Sequence, residues 1–197
     1  MHPQPGDRPQ EPCSGQCVSA SDLIGIFYRQ PELLGEFEQV ESKAVPESYR
    51  RLLEHTNHMT VTVELYHGDQ VDVEVLRSDI AGDHYRREIL LRTHARQQVV
   101  QYGIVRLNMR YLSNEPRNEI LAQRKPLGRV LIEHNVLREI LLFDLLRVEC
   151  GQILATLFGV KVGTTTYGRT ALLYCDDDPA IELLEIVTPI ESLSNDQ

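Results

Sequence analysis

The sequence predicts an α+β domain built on an antiparallel β-sheet with helices packed on it. Three observations carry this. Segments between residues 60 and 188 alternate apolar and polar side chains with a period of two. Turn-forming residues separate several of them at hairpin distances. Apolar residues at helical spacing gather near the N-terminus and in the middle of the chain, not regularly between strands.

The elements follow in order. Residues 1–18 hold Pro3, Pro5, Pro9 and Pro12 and little that is apolar, which predicts a disordered tail. Residues 19–191 are expected to form one domain, with 192–197 a flexible end. Ser21 or Asp22 is placed to cap a short helix through Tyr28. Pro31 starts a second helix with Leu33, Leu34 and Phe37 on one face. Pro46 starts a third with Tyr49, Leu52 and Leu53 on one face. Val61, Val63 and Leu65 alternate with Thr60, Thr62 and Glu64, which predicts a strand. His67-Gly68-Asp69 is the expected hairpin turn to a strand carrying Val71, Val73 and Val75. Strands follow over 85–91 and 98–111. Helices are expected over 117–123 and from Pro126-Leu127-Gly128 to Glu133. Residues 139–149 read as a strand, with a helix as the close alternative. A short helix over 151–158 precedes a closing pair of strands, 166–175 and 180–188, joined at Asp176-Asp177-Asp178-Pro179.

Composition narrows the function. The 197 residues carry twenty basic and twenty-nine acidic side chains, a net charge of −9. Without a basic cluster, such a chain is expected to bind neither nucleic acid nor an anionic membrane surface. No apolar run reaches the roughly 18 residues that span a bilayer. The first residues lack the apolar core of a secretory signal, so a soluble cytoplasmic protein is expected. Of the four cysteines, Cys13 and Cys17 lie in the tail, three residues apart. That is not the usual zinc spacing, and no second pair completes a site. Cys150 and Cys175 fall in apolar segments and read as buried small hydrophobes. His55 and His58 are spaced for one helix face, but a third ligand is missing, so no metal is expected.

Two charges break the alternation. Along 85–91, Tyr85, Arg87, Ile89 and Leu91 share a face that is apolar except for the arginine. Along 181–187, Ile181, Leu183, Glu185 and Val187 share a face that is apolar except for the glutamate. A charge taken out of water costs several kcal/mol, on the order of 3–5, unless it is paired. Either Arg87 and Glu185 pair with each other, or a ligand lies between them. In the second case the arginine holds a carboxylate by its fork, the glutamate faces a hydroxyl or ether oxygen, and the pocket suits a small aromatic or cyclic acid.

Several motifs occur in a fixed order: Leu53-Glu54-x3-His58-Met59-Thr60, then Tyr85-Arg86-Arg87-Glu88-Ile89-Leu90-Leu91. Lys125-Pro126-Leu127-Gly128-Arg129, Tyr167-Gly168-Arg169 and Glu185-x3-Pro189 follow. Over roughly residues 46–190 this resembles the chorismate pyruvate-lyase (4-hydroxybenzoate synthase) family, in particular its divergent bacterial branch. The resemblance implies a chorismate lyase-like fold, an antiparallel sheet with helices on one side around an enclosed internal pocket. It implies conversion of chorismate to 4-hydroxybenzoate and pyruvate with no metal or cofactor. Arg87 is then the ring-carboxylate ligand, Met59 and Leu127 contribute backbone amides to that carboxylate, and Glu185 faces the para oxygen. Arg169 is a candidate for the second carboxylate. The chain departs from the family in having Tyr167-Gly168-Arg169-Thr170 where the better-known branch has Trp-Gly-Arg-Arg, and residues 102–124 match little.

The expected chemistry gives Glu185 the role of proton donor or hydrogen-bond partner to the departing enolpyruvyl oxygen. An apolar pocket raises its pKa, and a nearby Arg87 opposes that rise. Two other readings stay open. The same fold serves as the effector-binding domain of bacterial transcription regulators, so the chain is alternatively a non-catalytic sensor or carrier of an aromatic acid. Residues 1–45 read as too short and too acidic for a winged-helix domain. A lyase with an altered substrate or product is the third reading. The sequence leaves the oligomeric state open.

Overall fold

A computed structural model describes residues 18–190. The elements are α1 (Ala20–Gly25), β1 (Gly35–Val40), α2 (Glu47–Leu53), α3 (Met59–His67), β2 (Val71–Ala81), β3 (His84–Thr93) and β4 (Val99–Asn108). They continue with α4 (Asn114–Leu121), α5 (Leu127–Glu133), β5 (Leu137–Cys150), α6 (Gln152–Phe158), β6 (Thr165–Cys175) and β7 (Asp178–Val187). The strands form one seven-stranded antiparallel sheet in the order β1-β5-β6-β7-β4-β3-β2. The α+β class read from the sequence is the one observed.

The sheet is covered on both faces, not one. Over one face lie α2, α3, α4 and α5, which bury Leu53, Val63, Ile120 and Val130 against Ile89, Val105, Leu173 and Leu183. Over the other lie α1 and α6, which bury Leu23, Ile24 and Leu154 against Leu90, Tyr102, Ile104, Leu172 and Leu184. Val18, expected at the end of the tail, is 1% exposed in this second layer. Residues 1–17 and 191–197, which hold the rest of the expected tail and the C-terminal end, lie outside the described residues. Among the described residues no helix is long and apolar enough to cross a membrane.

Three expectations fail locally. Residues 59–67 are helix α3, not a strand. Their β-branched residues favour a strand by propensity, but Met59, Thr60 and Val63 bury one helical face, and tertiary burial overrides a weak preference. Gly68 is accordingly no hairpin residue. It ends α3 in the left-handed region, at φ 62°, where glycine carries no steric penalty. Residues 35–40 are edge strand β1, paired with β5, and only Pro31–Leu33 form a 3-10 turn. The first helix is capped two residues before Ser21 and ends at Gly25, short of Tyr28: the Ser19 hydroxyl accepts from the Asp22 amide at 3.4 Å.

The strand expected over 98–111 ends at Asn108, with a 3-10 turn over Met109–Tyr111, and Asp178 and Pro179 already belong to β7. Pro46 opens α2, with Tyr49, Leu52 and Leu53 buried. Residues 137–150 are the strand β5, not the helical alternative. The β6–β7 hairpin turns on Asp176 and Asp177, both at positive φ (50° and 70°), the backbone of a two-residue type I′ turn.

One irregularity in β2 matters for the site. Val75 lies opposite Ile89, but Arg77 lies opposite Glu88, so Leu76 is an extra residue in a β-bulge. Without it, regular pairing sets Arg77 opposite Arg87. The bulge moves every later β2 side chain to the other face.

Candidate functional site

The cavity that matters lies between the sheet and the α3–α5 layer. Arg87 and Ile89 come from β3, and Gln101, Gly103 and Val105 from β4. Glu185 comes from β7 and Arg169 from β6. His58, Met59 and Thr60, then Pro126, Leu127 and Gly128, close the other side. These are the residues at and just before the first turns of α3 and α5. The two helix starts are pressed together: a Cβ on Gly128 would stand 2.7 Å from Thr60 Oγ1, so only glycine fits there. About 50 Å³ is open to the centres of water-sized molecules. At ~10–15 Å³ per water this is room for a few waters or one small ligand.

Arg87 is 1% exposed, and its Nε and Nη1 are buried with no hydrogen-bond partner. Desolvation by burial pulls its pKa below the usual arginine value, and Tyr85 beside it pulls weakly the other way. The Tyr85 hydroxyl is also engaged by Gln123 Nε2 at 2.9 Å. An arginine in this state is a receptor for an anion. The field of α3 adds to it, since the first amides of a helix have no acceptor within the helix. Met59 opens that helix, and its first recorded main-chain bond is Thr62 N to His58 O.

Glu185 is differently placed. Its Oε2 accepts from Arg169 Nε at 2.7 Å, and its Oε1 accepts from Gln101 Nε2 at 3.4 Å. Arg169, 1% exposed, also donates through Nη1 to Leu53 O at 3.1 Å and His55 O at 2.9 Å, closing the C-terminal end of α2. The expected Arg87–Glu185 pair is therefore absent: the glutamate takes the other arginine. His55 and His58 form no metal site either. Among the described residues no three His, Cys, Asp or Glu side chains gather. His55 Nε2 donates to Leu52 O at 2.8 Å and Nδ1 accepts from Asn57 N at 3.2 Å. Cys150 and Cys175 are buried free thiols, their pKa values pushed up by desolvation to about 11 and about 12.

All five residues singled out in the sequence, Met59, Arg87, Leu127, Arg169 and Glu185, thus line one cavity. The sequence reading missed Gln101, 2% exposed, whose Oε1 is buried without a donor. The signal was present: Gln101 shares a strand face with Gly103, Val105 and Leu107 and breaks it as Arg87 breaks its own.

No family model matches the sequence, and no curated protein does. Solved structures do. PhnF from Mycobacterium smegmatis matches at 12% identity with a TM-score of 0.53, over 68% of this chain and 64% of that one. The separately solved effector domain of PhnF matches at 12% and 0.53, over 67% of this chain and 88% of the domain. A ligand-binding domain assigned to a GntR-family transcriptional regulator of Bordetella bronchiseptica matches at 15% and 0.47, over 61% and 86%. This chain therefore spans less than two thirds of whole PhnF but most of its effector domain. The likeness is one of fold: the chorismate lyase-like fold of regulator ligand-binding domains.

Three expectations are corrected by these neighbours. Membership of the chorismate pyruvate-lyase family, and lyase activity with chorismate as substrate and 4-hydroxybenzoate as product, are not supported: the solved structures that match are those of PhnF and its effector domain, not of lyases. The exclusion of a nucleic-acid partner falls as well. A net charge of −9 describes this chain alone and does not exclude a partner that binds DNA.

Proposed function

We propose that this chain is a non-catalytic effector-binding module that senses a small organic acid, with Arg87 as the anion receptor. The observation that carries the reading is the fully buried guanidinium with two nitrogens unpartnered among the described residues, at the wall of a small cavity whose other charged groups, Glu185 and Arg169, are engaged with each other. Buried polar groups without partners are rare in native proteins, and one aimed at a cavity is satisfied by what enters it. A carboxylate offers Nε and a terminal nitrogen two parallel hydrogen bonds. The amides opening α3, Met59 foremost, and the neighbouring Leu127 segment close over the same group. The apolar lining from Ile89, Val105, Leu173 and Leu183 suits an aromatic or cyclic body. Glu185 and Arg169, already engaged, shape the cavity instead of reacting. The output partner is a DNA-binding polypeptide, and the setting is the cytoplasm, where the free thiols of Cys150 and Cys175 stay reduced.

The test is calorimetric titration of the chain and of Arg87→Met with benzoate and 4-hydroxybenzoate, with chorismate incubated in parallel. Loss of a charge-assisted contact of about 2–4 kcal/mol weakens binding by roughly 30- to 1000-fold, and chorismate stays intact. Acid binding that survives Arg87→Met unchanged refutes the site.

A further inference from the structure

Two polar groups on the cavity wall lack partners, and they are opposite in kind. Arg87 presents donors, Nε and Nη1. Gln101 presents an acceptor, Oε1. The amide orientation is set by its other end, since Nε2 is spent on Glu185 Oε1 at 3.4 Å and a flipped amide would bring two acceptors together. The strand register separates the pair. Arg87 lies opposite Val105, and Gln101 lies four residues further along β4. At ~3.4 Å per residue their α-carbons are about 14 Å apart along the floor. Between them is Gly103, opposite Glu185 on one side and Ile89 on the other, leaving the middle of the floor without a side chain.

We propose that Gln101 determines specificity at the far end of this pocket, by accepting a hydrogen bond from a hydroxyl or amino group that the acid carries away from its carboxylate. The inference rests on the reading of Arg87 as anion receptor and adds a second requirement. Glu185 does not fill this role, because both of its oxygens already accept, from Arg169 and from Gln101. The Gln101 oxygen is held in place by that contact, so a donor finds it oriented before binding. An acid without a donor at this end leaves a buried acceptor dry. An acid with only an acceptor there, such as an ether oxygen, adds repulsion.

The experiment compares ligands before it compares variants. The whole chain is titrated calorimetrically with benzoate, 3- and 4-hydroxybenzoate and 3- and 4-methoxybenzoate. The expected result is that at least one hydroxy acid binds about tenfold or more tightly than benzoate, and its methoxy counterpart more weakly than the hydroxy acid. Gln101→Met, which keeps the length and removes the acceptor, is expected to collapse that ratio toward one while benzoate affinity changes little. A wild-type chain that binds benzoate and all hydroxybenzoates equally, with all of them lost in Arg87→Met, overturns the role of Gln101 and leaves the anion receptor standing. A hydroxyl preference that survives Gln101→Met also overturns it. Failure of every acid to bind, or binding indifferent to Arg87→Met, overturns the underlying reading instead. Gln101→Glu, which keeps the length and an acceptor, is the second variant: should Gln101→Met fail to fold, a hydroxyl preference retained in Gln101→Glu supports the role of an acceptor at this position and its loss overturns it.

Discussion

Arg87 and Glu88 are neighbours in the chain, each 1% exposed, and they face opposite sides of the same sheet. Their surroundings could hardly differ more. Glu88 takes hydrogen bonds from the Tyr28 hydroxyl, from the Tyr102 hydroxyl at 2.6 Å and from Arg77 Nε at 2.6 Å. Arg77 in turn lies over the Phe27 and Tyr28 rings and donates to Phe27 O at 3.1 Å. Burial, with Glu88 beside it, pushes the Tyr28 pKa up to about 12, and the same causes raise Tyr102. Among the described residues no carboxylate pairs with Arg87. The β2 bulge makes the difference, because it turns Arg77 to the Glu88 face and leaves Ser78 opposite Arg87. A buried charge that the protein satisfies itself is architecture, and one that it leaves open is what the proposed function takes as its anion receptor.

Breaking the satisfied side has the largest expected effect. Glu88→Ala leaves two tyrosine hydroxyls without their acceptor and Arg77, whose side chain is 43% exposed, without its carboxylate, a loss of about 2–4 kcal/mol. Urea denaturation is expected to show that loss, while the folded fraction binds acids with unchanged affinity. A loss of ligand affinity comparable to that of Arg87→Met would mean the two faces are not separate.

Tyr102→Phe is a gentler break on the same face. It removes one donor to a charged acceptor, worth about 1.5–3 kcal/mol, and leaves Glu88 with Arg77 and Tyr28. Denaturation checks the size, and a variant as stable as the wild type would show the Tyr102 contact to be incidental.

The open side is expected to respond with the opposite sign. Arg87→Met replaces an unpaired buried charge by an apolar chain of similar length. The ligand-free protein is expected to be as stable or more stable, by up to about 1–2 kcal/mol, because a desolvation penalty is removed and no partner is orphaned. A destabilisation as large as that of Glu88→Ala would show that Arg87 is structural. Added ligand reverses the order, since only the wild type gains from binding.

How much of this contrast was legible in the sequence depends on which residue is considered. Arg87 and Glu185 were visible because each interrupts a clean apolar alternation on a strand that is regular where it matters. Glu88 was not, since its face also carries Arg86 and Arg92 and reads as solvated. Only the approach of α1, with Phe27 and Tyr28 following it, covers the centre of that face. The pairing of Glu185 with Arg169 was hidden for another reason. It depends on β6 and β7 lying side by side with Arg169 opposite Glu185, whereas alternation gives faces, not neighbours. The strand order that inserts β4 between β3 and β7 separates the two residues expected to pair. Helix α3 was misread because its Thr-Val run satisfies a period of two as well as a period of 3.6. The bulge at Leu76 has no sequence signature of its own, yet it decides which charge is paired.

The smallest expected effect is a pH dependence that comes from the pocket side. His55 is held below the ordinary histidine pKa of 6.5, first by burial and then by the Arg169 charge beside it. Burial likewise lowers His58 and His67. For His55 and His58 the Glu185 charge works against this without reversing it. Between the folded pKa and 6.5 the unfolded chain binds more protons than the folded one, so stability falls as pH drops through that window. It is fully present above about pH 6.5. The carboxylates whose pKa values are lowered by ion pairs, Glu47, Asp79 and Glu119, act in the same direction but below their ordinary values of 3.8–4.5. A comparison of urea midpoints between pH 7.5 and 5.5 therefore isolates the histidines. His58 lines the cavity that Arg87 faces, and a bound carboxylate there favours its protonated form. Saturating acid is thus expected to flatten the slope between those two pH values. His58→Gln is expected to remove that ligand dependence and leave the share due to His55 and His67. A slope that is the same with and without ligand would place the bound anion away from His58, and so away from the start of α3.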